Sequence, residues 1–169
     1  MDELAGSSIG ATFNQYAEGA RAPLLRERLV RYLEGRAGAP LLLVGEAPGY
    51  RGARVSGIPF TSERQLSGSG PAEATATIVH RVLDELCLAE CTLLWNVVPT
   101  HPGTGVSNRA PSAAEVGAGR RFAFLLGGGR HVIPVGRIAE AALGFPGIRH
   151  PSRGGAREFR AALVECVGQ

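Results

Sequence analysis

The chain contains no lysine, and all 18 of its basic residues are arginine. It also lacks any apolar run of the roughly 18 residues that suggest a membrane-spanning helix. Its first ten residues, MDELAGSSIG, are acidic and carry no basic segment followed by an apolar core, which argues against a signal peptide. Three cysteines are too few for a disulfide framework. These absences predict a cytoplasmic protein with no membrane partner.

The length of 169 residues, 44% of them hydrophobic, suits one domain with a core of its own. We see no internal repeat and no linker long enough to divide the chain. We therefore predict a single domain over residues 1–169 and expect it to act as a monomer.

The net charge of +3 is unevenly distributed. Residues 1–119 hold 10 arginines against 12 acidic residues, whereas residues 120–169 hold 8 arginines against 3 glutamates. A basic carboxyl-terminal region favours a polyanionic partner such as DNA. A solvated basic face is the alternative, and charge alone does not separate the two.

Apolar patterning predicts strands that alternate with helices. Strands are predicted at LLLVG (41–45), CTLLWNVV (91–98), HVIPVG (131–136) and, as a fourth short strand, within GIRHPS (147–152). Helices are predicted over 22–35, 72–87, 112–126, 137–144 and 156–167. This order is typical of an α/β fold: a three-layer αβα sandwich with a short, mainly four-stranded parallel central sheet.

Three polar side chains close predicted strands. Glu46 follows the first strand, Asn96 closes the second, and His150 closes the fourth. Each has a structural alternative, since Glu46 could cap a helix or pair with arginine, Asn96 could bond loop backbone, and His150 could simply precede a helix. Ligands of such folds bind at the carboxyl ends of the strands, so all three meeting at one sheet edge favours a site.

Several known site types do not fit the sequence. GEAPG (45–49) lacks the phosphate-loop pattern and the G-x-G-x-x-G spacing of a dinucleotide site. Cys87 and Cys91, with His80 upstream, have no second ligand pair for zinc, so we interpret both cysteines as core or near-core thiols. The zinc deaminase signature is also absent. No metal site is predicted.

Three collinear segments within residues 40–155 resemble the motifs of the uracil-DNA glycosylase superfamily. GEAPGYRGARVSGIPF resembles the first motif of its iron–sulfur branch, where GEAPG leads to a loop ending in G-x-P-F. WNVVPTHPGTGVSNRAPSAAE resembles that branch's N-V-V segment with a downstream N-R-x-P-x-x-x-E. VGRIAEAALG followed by HPS resembles its third strand and terminal motif.

The resemblance assigns roles to residues of this chain. It implies that Phe60 stacks on a uracil flipped out of the DNA, that Asn96 bonds the edge of the base, and that His150 stabilises charge on the departing base. Glu46 is the nearest carboxylate for orienting water. The remaining candidates are Gly45, Ala47, Pro48 and Gly49 for packing the base, and Arg149, Pro151, Ser152, Arg153, Arg157 and Arg160 for binding DNA phosphates.

The sequence differs from the iron–sulfur branch or from the best-known branch of the superfamily at four points. The cluster cysteines are missing, with Thr100 and Gly119 at two of their positions, so we predict no iron–sulfur cluster and no other cofactor. As in the iron–sulfur branch, Ala47 stands where the best-known branch has a water-assisting aspartate. Gly49 stands where that branch has a tyrosine that excludes thymine, so strict uracil specificity is not predicted. After HPS the chain has arginine in place of an apolar wedge, and Arg153 is a candidate to fill the gap left by the flipped base.

These features favour a DNA repair glycosylase that hydrolyses the N-glycosidic bond of uracil, or of other deaminated bases, in single- or double-stranded DNA. One alternative is a DNA-binding protein of the same fold that grips or covalently traps uracil-containing DNA without efficient turnover. Another is a hydrolase of free nucleosides or nucleotides. Repeated turnover on DNA separates the first hypothesis from the second, and activity on monomers separates it from the third.

Overall fold

Helices and strands alternate in the computed structural model, which describes residues 1–168. The strands are β1 (Leu41–Gly45), β2 (Thr92–Asn96), β3 (Gly103–Thr104), β4 (Ser107–Asn108) and β5 (His131–Pro134). The helices are α1 (Asp2–Ala5), α2 (Ala22–Gly35), α3 (Ala53–Ser56), α4 (Glu63–Ser67), α5 (Ala74–Glu85), α6 (Ala113–Gly127), α7 (Arg137–Leu143) and α8 (Ala156–Val167).

The central sheet has three parallel strands in the order β2-β1-β5. Its middle strand β1 is buried at every position, as its uniformly apolar sequence predicts. In the pairing of β1 with β2, Gly45 lies beside Asn96, so both strands end at the same level. The polar residues that close them therefore share one edge of the sheet.

The predicted fourth strand is not formed as a strand. Ile148 makes only an isolated parallel bridge with Val135, in which its N–H donates to Pro134 O and its C=O accepts from Gly136 N–H, each at 2.8 Å. Pro146 before this point and Pro151 after it remove backbone donors, so the pairing cannot extend. The bridge still brings His150 to the carboxyl edge of the sheet.

Side chains of the sheet point alternately to two helical layers, which confirms the three-layer αβα architecture. On one face, Leu42 and Val44 pack in a cluster with residues of α2, α6 and α7. On the other face, Leu43 packs with Leu94 and Ile133 against residues of α5 and α8. The period of two along each strand thus separates two cores, one above and one below the sheet.

The interpretation of Cys87 and Cys91 as core thiols is wrong. Helix α5 ends at Glu85, two residues earlier than predicted, and Cys87 lies in the following turn with φ +56°. Cys91 directly precedes β2, and both cysteines are exposed. The inward face of α5 is formed instead by Ala76, Val79, Val82 and Leu83.

No helix within residues 1–168 is both long and apolar enough to cross a membrane.

Candidate active site

A cleft of about 360 Å³ opens at the carboxyl edge of the sheet. Segments that follow β1 and β2 contribute to its lining, as does the segment that follows the Val135–Ile148 bridge. Nine residues predicted from the sequence line it: Glu46, Ala47, Pro48, Gly49, Phe60, Asn96, His150, Ser152 and Arg153. Residues far apart in sequence thus meet in one cleft, as ligand sites of such folds require.

Five predicted residues lie outside the lining of this cleft. Gly45 and Pro151 are buried, whereas Arg149 and Arg157 are exposed. Arg160, the further arginine considered for phosphate binding, forms an ion pair with Glu85 at 3.3 Å. Residues at these positions can support the cleft or bind an extended ligand, but they do not contact a small group inside the cleft.

Glu46 places a carboxyl group in the cleft directly after β1. Its backbone C=O accepts from Val98 N–H at 3.0 Å, which continues the pairing of the first two strands past their ends and fixes the position of the residue. Burial raises the pKa of the Glu46 carboxyl group above its ordinary value, and no cation of the described chain contributes to the shift. The group is therefore a weaker acid than usual, in a site where water is partly excluded.

Phe60 and Asn96 form the floor of the cleft around Gly45. A Cβ at Gly45 would overlap the Phe60 ring and would lie 3.1 Å from Asn96 Oδ1, so the packing needs glycine at this position. Phe60 has φ +52°, a left-handed backbone conformation that is costly for a bulky residue. Its neighbour Thr61 stabilises the turn, because Thr61 C=O accepts from Ser56 Oγ at 2.6 Å and Thr61 Oγ1 lies 3.0 Å from His80 Nε2.

Phe60 belongs to the hydrophobic core as well as to the cleft. Only 7% of its surface is exposed and it belongs to the α5–α8 core, yet its ring also lines the cleft. A ring anchored in the core and exposed on one side can present a rigid aromatic surface for stacking.

His150 is oriented by the residue two positions later. The backbone N–H of Ser152 donates to His150 Nδ1 at 3.2 Å, and Ser152 Oγ lies 2.8 Å from the same nitrogen. Because a backbone N–H can only donate, Nδ1 must accept, and a neutral ring then carries its proton on Nε2. Burial lowers the pKa of His150, which favours this neutral form. The ring therefore offers an N–H donor at Nε2.

The cleft loop is held by a second histidine that sequence reasoning missed. His101 is fully buried, and its ring nitrogens lie 2.8 Å from the carbonyl oxygens of Pro48 and Thr104. It thereby joins the GEAPG loop to the β3–β4 hairpin. Asn108 at the end of the hairpin adds a second link, since its Oδ1 accepts from Tyr50 N–H at 2.8 Å.

Arg109, next to the hairpin, lines the cleft and is fixed by Glu115. The guanidinium donates to both carboxylate oxygens, at 2.6 and 2.8 Å. Glu115 also accepts from the backbone N–H of Ser112 and of Ala11, and the first of these bonds completes the capping box of α6. Hydrogen bonding from Arg109 is the largest cause that lowers the pKa of Glu115, to about 2. The N-R-x-P-x-x-x-E segment is thus explained as a structural anchor for the cleft wall.

Replacing Glu115 with alanine is expected to lower the free energy of unfolding by about 3 kcal/mol. The loss combines a helix cap, worth about 1 kcal/mol, with charge-assisted hydrogen bonds worth about 2 kcal/mol. Because folding lowers its pKa, the carboxylate stabilises the fold above its ordinary pKa, and this contribution is lost as the pH falls towards about 2. Chemical denaturation at neutral pH measures the difference.

A matched control is Glu27→Ala. Glu27 forms an ion pair with Arg31 on α2, but both side chains are more than half exposed. Such a pair contributes about 0.5 kcal/mol or less. Equal losses in the two variants would contradict the anchoring role of Glu115.

A basic groove of about 470 Å³ adjoins the cleft and shares His150, Ser152 and Arg153 with it. Arg149, Arg137 and one acidic residue, Glu140, also line this groove, so arginines outnumber carboxylates three to one. Arg137 begins α7, shortly after the end of β5, and was not among the predicted residues. Its position just after a predicted strand is the signal that could have identified it. Three arginines therefore lie along the groove that adjoins the cleft, an arrangement suited to binding successive phosphates of a DNA strand.

Six lining residues were not predicted: Ala53, Glu73, Thr75, Pro102, Asn108 and Arg109. Asn108 and Arg109 fall within the N-R-x-P segment and could have been identified from it. Glu73 follows a glycine-rich stretch and belongs to no motif, so nothing in the sequence assigned it to the site. Residues 1–168 contain no group of three or more histidine, cysteine, aspartate or glutamate residues placed to hold a metal ion.

Comparisons with known proteins address the fold and the family of this chain. The crystal structure of wild-type Pedobacter heparinus SMUG2 matches with a TM-score of 0.70 over 99% of this chain and 94% of that one, at 16% sequence identity, which is a likeness of fold. No curated protein matches the chain by sequence. The family model described as the uracil DNA glycosylase superfamily matches residues 33–162, a range that contains every side chain of the cleft. The chain therefore belongs to the uracil DNA glycosylase superfamily.

Proposed function

We propose that this protein removes uracil from DNA by hydrolysing the N-glycosidic bond between the base and deoxyribose. Family membership supports a DNA glycosylase, and the cleft supports the finer assignment. The observation that carries it is the meeting of an aromatic ring, an amide, a carboxyl group and a neutral histidine in one cleft: Phe60, Asn96, Glu46 and His150. To enter, the base must leave the DNA stack, which costs a few kcal/mol in a duplex and less in a single strand.

The side chains divide the work of bond cleavage. The base stacks on Phe60 while the Asn96 amide, which offers a donor and an acceptor, pairs with its edge. As the bond from C1′ to N1 breaks, the electron pair leaves with the base and the sugar becomes an oxocarbenium-like cation. His150 Nε2–H donates to a carbonyl oxygen of the base and stabilises the negative charge there. Water then adds to C1′ and releases its proton, giving free uracil and an abasic site.

Glu46 orients that water and favours the cationic sugar in its ionised form. Since burial raises its pKa, activity is expected to fall as the pH decreases through that raised value, above the range where an ordinary glutamate is protonated. Replacement with glutamine is expected to lower the rate on the order of 100-fold and to remove this limb of the profile. Rates measured from acidic to neutral pH test this. Glu34→Gln, an exposed change on α2, should keep the wild-type profile.

DNA phosphates bind along the basic groove beside the cleft. Arg149 and Arg153 line it, Arg157 lies on α8, and the turn at Pro151 and Ser152 connects them. Arg137 extends the same surface. Contacts of this kind release counterions, so affinity for oligonucleotides should decrease as salt increases. Arg153, exposed with φ +52°, remains the candidate to fill the space left by the flipped base.

The state of His150 favours turnover over a covalent trap. Attack on the sugar requires a free lone pair on the ring. The lone pair of the neutral ring is on Nδ1, where it accepts from Ser152 N–H, whereas Nε2 carries the proton. The ring is therefore arranged as a hydrogen-bond donor rather than as a nucleophile.

The test uses end-labelled oligonucleotides with one uracil, single- and double-stranded, at protein concentrations below and above that of the DNA. Alkali cleaves the strand wherever a base has been removed. We expect more than one product per protein molecule. Product that stops at one equivalent, with a denaturant-stable complex, would instead establish the trap, and activity on free nucleosides alone would establish a monomer hydrolase.

A further inference from the structure

Glu73 places a second carboxyl group in the cleft, in the space beside two glycines of the loop after β1. A Cβ at Gly49 would overlap one carboxyl oxygen of Glu73, and a Cβ at Gly52 would overlap the other. The two glycines therefore leave the space that this carboxyl group occupies. Gly49 is also the position at which the best-known branch has a tyrosine that excludes thymine, and its glycine is the reason that strict uracil specificity was not predicted from the sequence.

No cation within residues 1–168 neutralises this carboxyl group. Glu63 and Glu115 both accept hydrogen bonds from arginine, which lower the pKa of each. In contrast, burial raises the pKa of Glu73 and is the only cause of its shift, as expected for a carboxyl group that no cation within residues 1–168 contacts. Its backbone caps α5, but its side chain forms no cap hydrogen bond. A half-buried carboxyl group without a partner is costly unless a ligand bonds to it.

The cleft arranges Glu73 and Asn96 around different parts of a bound base. Asn96 lies with Phe60 at Gly45, whereas Glu73 lies further along the loop at Gly49 and Gly52. When the Asn96 amide pairs with O4 and N3–H of a uracil stacked on Phe60, C5 lies beside O4 at the flank of the ring. Gly49 and Glu73 also line this cleft.

We propose that Glu73 lies beside C5 of the bound base and selects the base by its C5 substituent, rejecting a methyl group and accepting hydrogen or a hydrogen-bond donor. The proposal rests on the function proposed above. A methyl group at C5 would compete for the space of the carboxyl group and strip water from it without bonding to it. A hydroxyl group there would donate to a carboxylate oxygen. Glu73 is thus a specificity-determining residue, and thymine is excluded by a residue distant in sequence from the GEAPG motif.

The experiment compares excision of uracil, thymine and 5-hydroxymethyluracil from one oligonucleotide sequence. The last two bases differ by a single hydroxyl group. For the wild type we expect uracil and 5-hydroxymethyluracil to be removed and thymine to be disfavoured. Glu73→Ala should raise the thymine-to-uracil ratio by about 10-fold or more, the effect of one methyl group in a pocket, and should remove the preference for 5-hydroxymethyluracil over thymine. Glu73→Gln keeps the volume, so thymine should stay disfavoured.

A second measurement tests the contact without relying on activity. Gly49→Ala should push aside the Glu73 carboxyl group, which ends a rotatable side chain, so the fall in melting temperature should be modest and adding Glu73→Ala should restore much of it. Additive losses would overturn the geometry.

The outcomes separate the two proposals. A wild type that leaves uracil in place overturns the proposed function and this inference together. A wild type that removes uracil, while Glu73→Ala keeps the same ratios among the three bases, overturns the role of Glu73 alone. An equal fall for all three bases would assign Glu73 to the chemistry or the fold, and this also overturns selection by C5.

Discussion

Replacing His150 with alanine is expected to lower the rate of uracil excision on the order of 100- to 1000-fold, the effect of removing one preorganised donor from a site of developing negative charge. The preorganisation is visible in the structure. Ser152 N–H donates to Nδ1, and burial lowers the pKa of the ring, so the neutral tautomer with its proton on Nε2 exists before the substrate arrives. Alanine leaves no donor at this position, and solvent reaches it poorly.

Single-turnover rates on a uracil oligonucleotide, with binding measured separately, test this expectation. The loss should fall on the rate rather than on affinity, because arginines of the adjoining groove supply the phosphate contacts. His131→Ala is the control, since His131 is exposed at the start of β5, at the opposite end of the strand from the cleft. If the excision rate of the His150 variant stayed within tenfold of the wild-type rate, another group would have to stabilise the charge.

Ser152→Ala separates two parts of the same mechanism. It removes the hydroxyl group beside Nδ1 but leaves the backbone N–H that fixes the tautomer. The expected loss is therefore smaller than that of His150→Ala. An equal loss would mean that the hydroxyl group, not the backbone, holds the ring.

Apolar patterning predicted the parts of the fold that place the site. The LLLVG run predicted a strand covered on both faces, and β1 is buried at every position. The other predicted strands alternated with helices along the chain. Parallel strands end at a common edge, so Glu46 and Asn96 were expected to meet, and the pairing of Gly45 with Asn96 realises this. The position of His150 was also anticipated, although a single bridge rather than a strand delivers it.

The remaining features depend on contacts that periodicity does not encode. His101 holds the cleft loop through two backbone carbonyl groups, and neither partner is marked by its own residue type. Glu73 enters the cleft because Gly49 and Gly52 leave room for it, a relation between distant positions in the chain. The exposed cysteines were misjudged because composition suggests burial for a thiol, whereas the early end of α5 decided otherwise.

Asn96→Asp is expected to lower excision of uracil by about 1000-fold or more, because a site built on paired hydrogen bonds strongly rejects a ligand that cannot complete them. Asn96 is 4% exposed and fixed at the end of β2, so it cannot turn away. The amide presents both a donor and an acceptor, whereas an ionised carboxylate only accepts. The carboxylate would place a hydrogen-bond acceptor against O4 of uracil, which is also an acceptor. It could, however, accept a hydrogen bond from the amino group of cytosine. The ratio of cytosine to uracil excision should therefore rise.

The measurement is single-turnover excision of uracil and of cytosine from otherwise identical oligonucleotides. Asn108→Asp is the matched control, because it makes the same chemical change at the rim of the same cleft while keeping the oxygen that accepts from Tyr50 N–H. Asn108→Asp should leave the cytosine-to-uracil ratio unchanged, and it should lower the rate much less than Asn96→Asp does. If Asn96→Asp and Asn108→Asp gave similar losses with no change in the ratio, Asn96 would be one more charge-sensitive position of the cleft. A loss confined to Asn96, with the preference moved towards cytosine, would identify its amide as the group that pairs with the base.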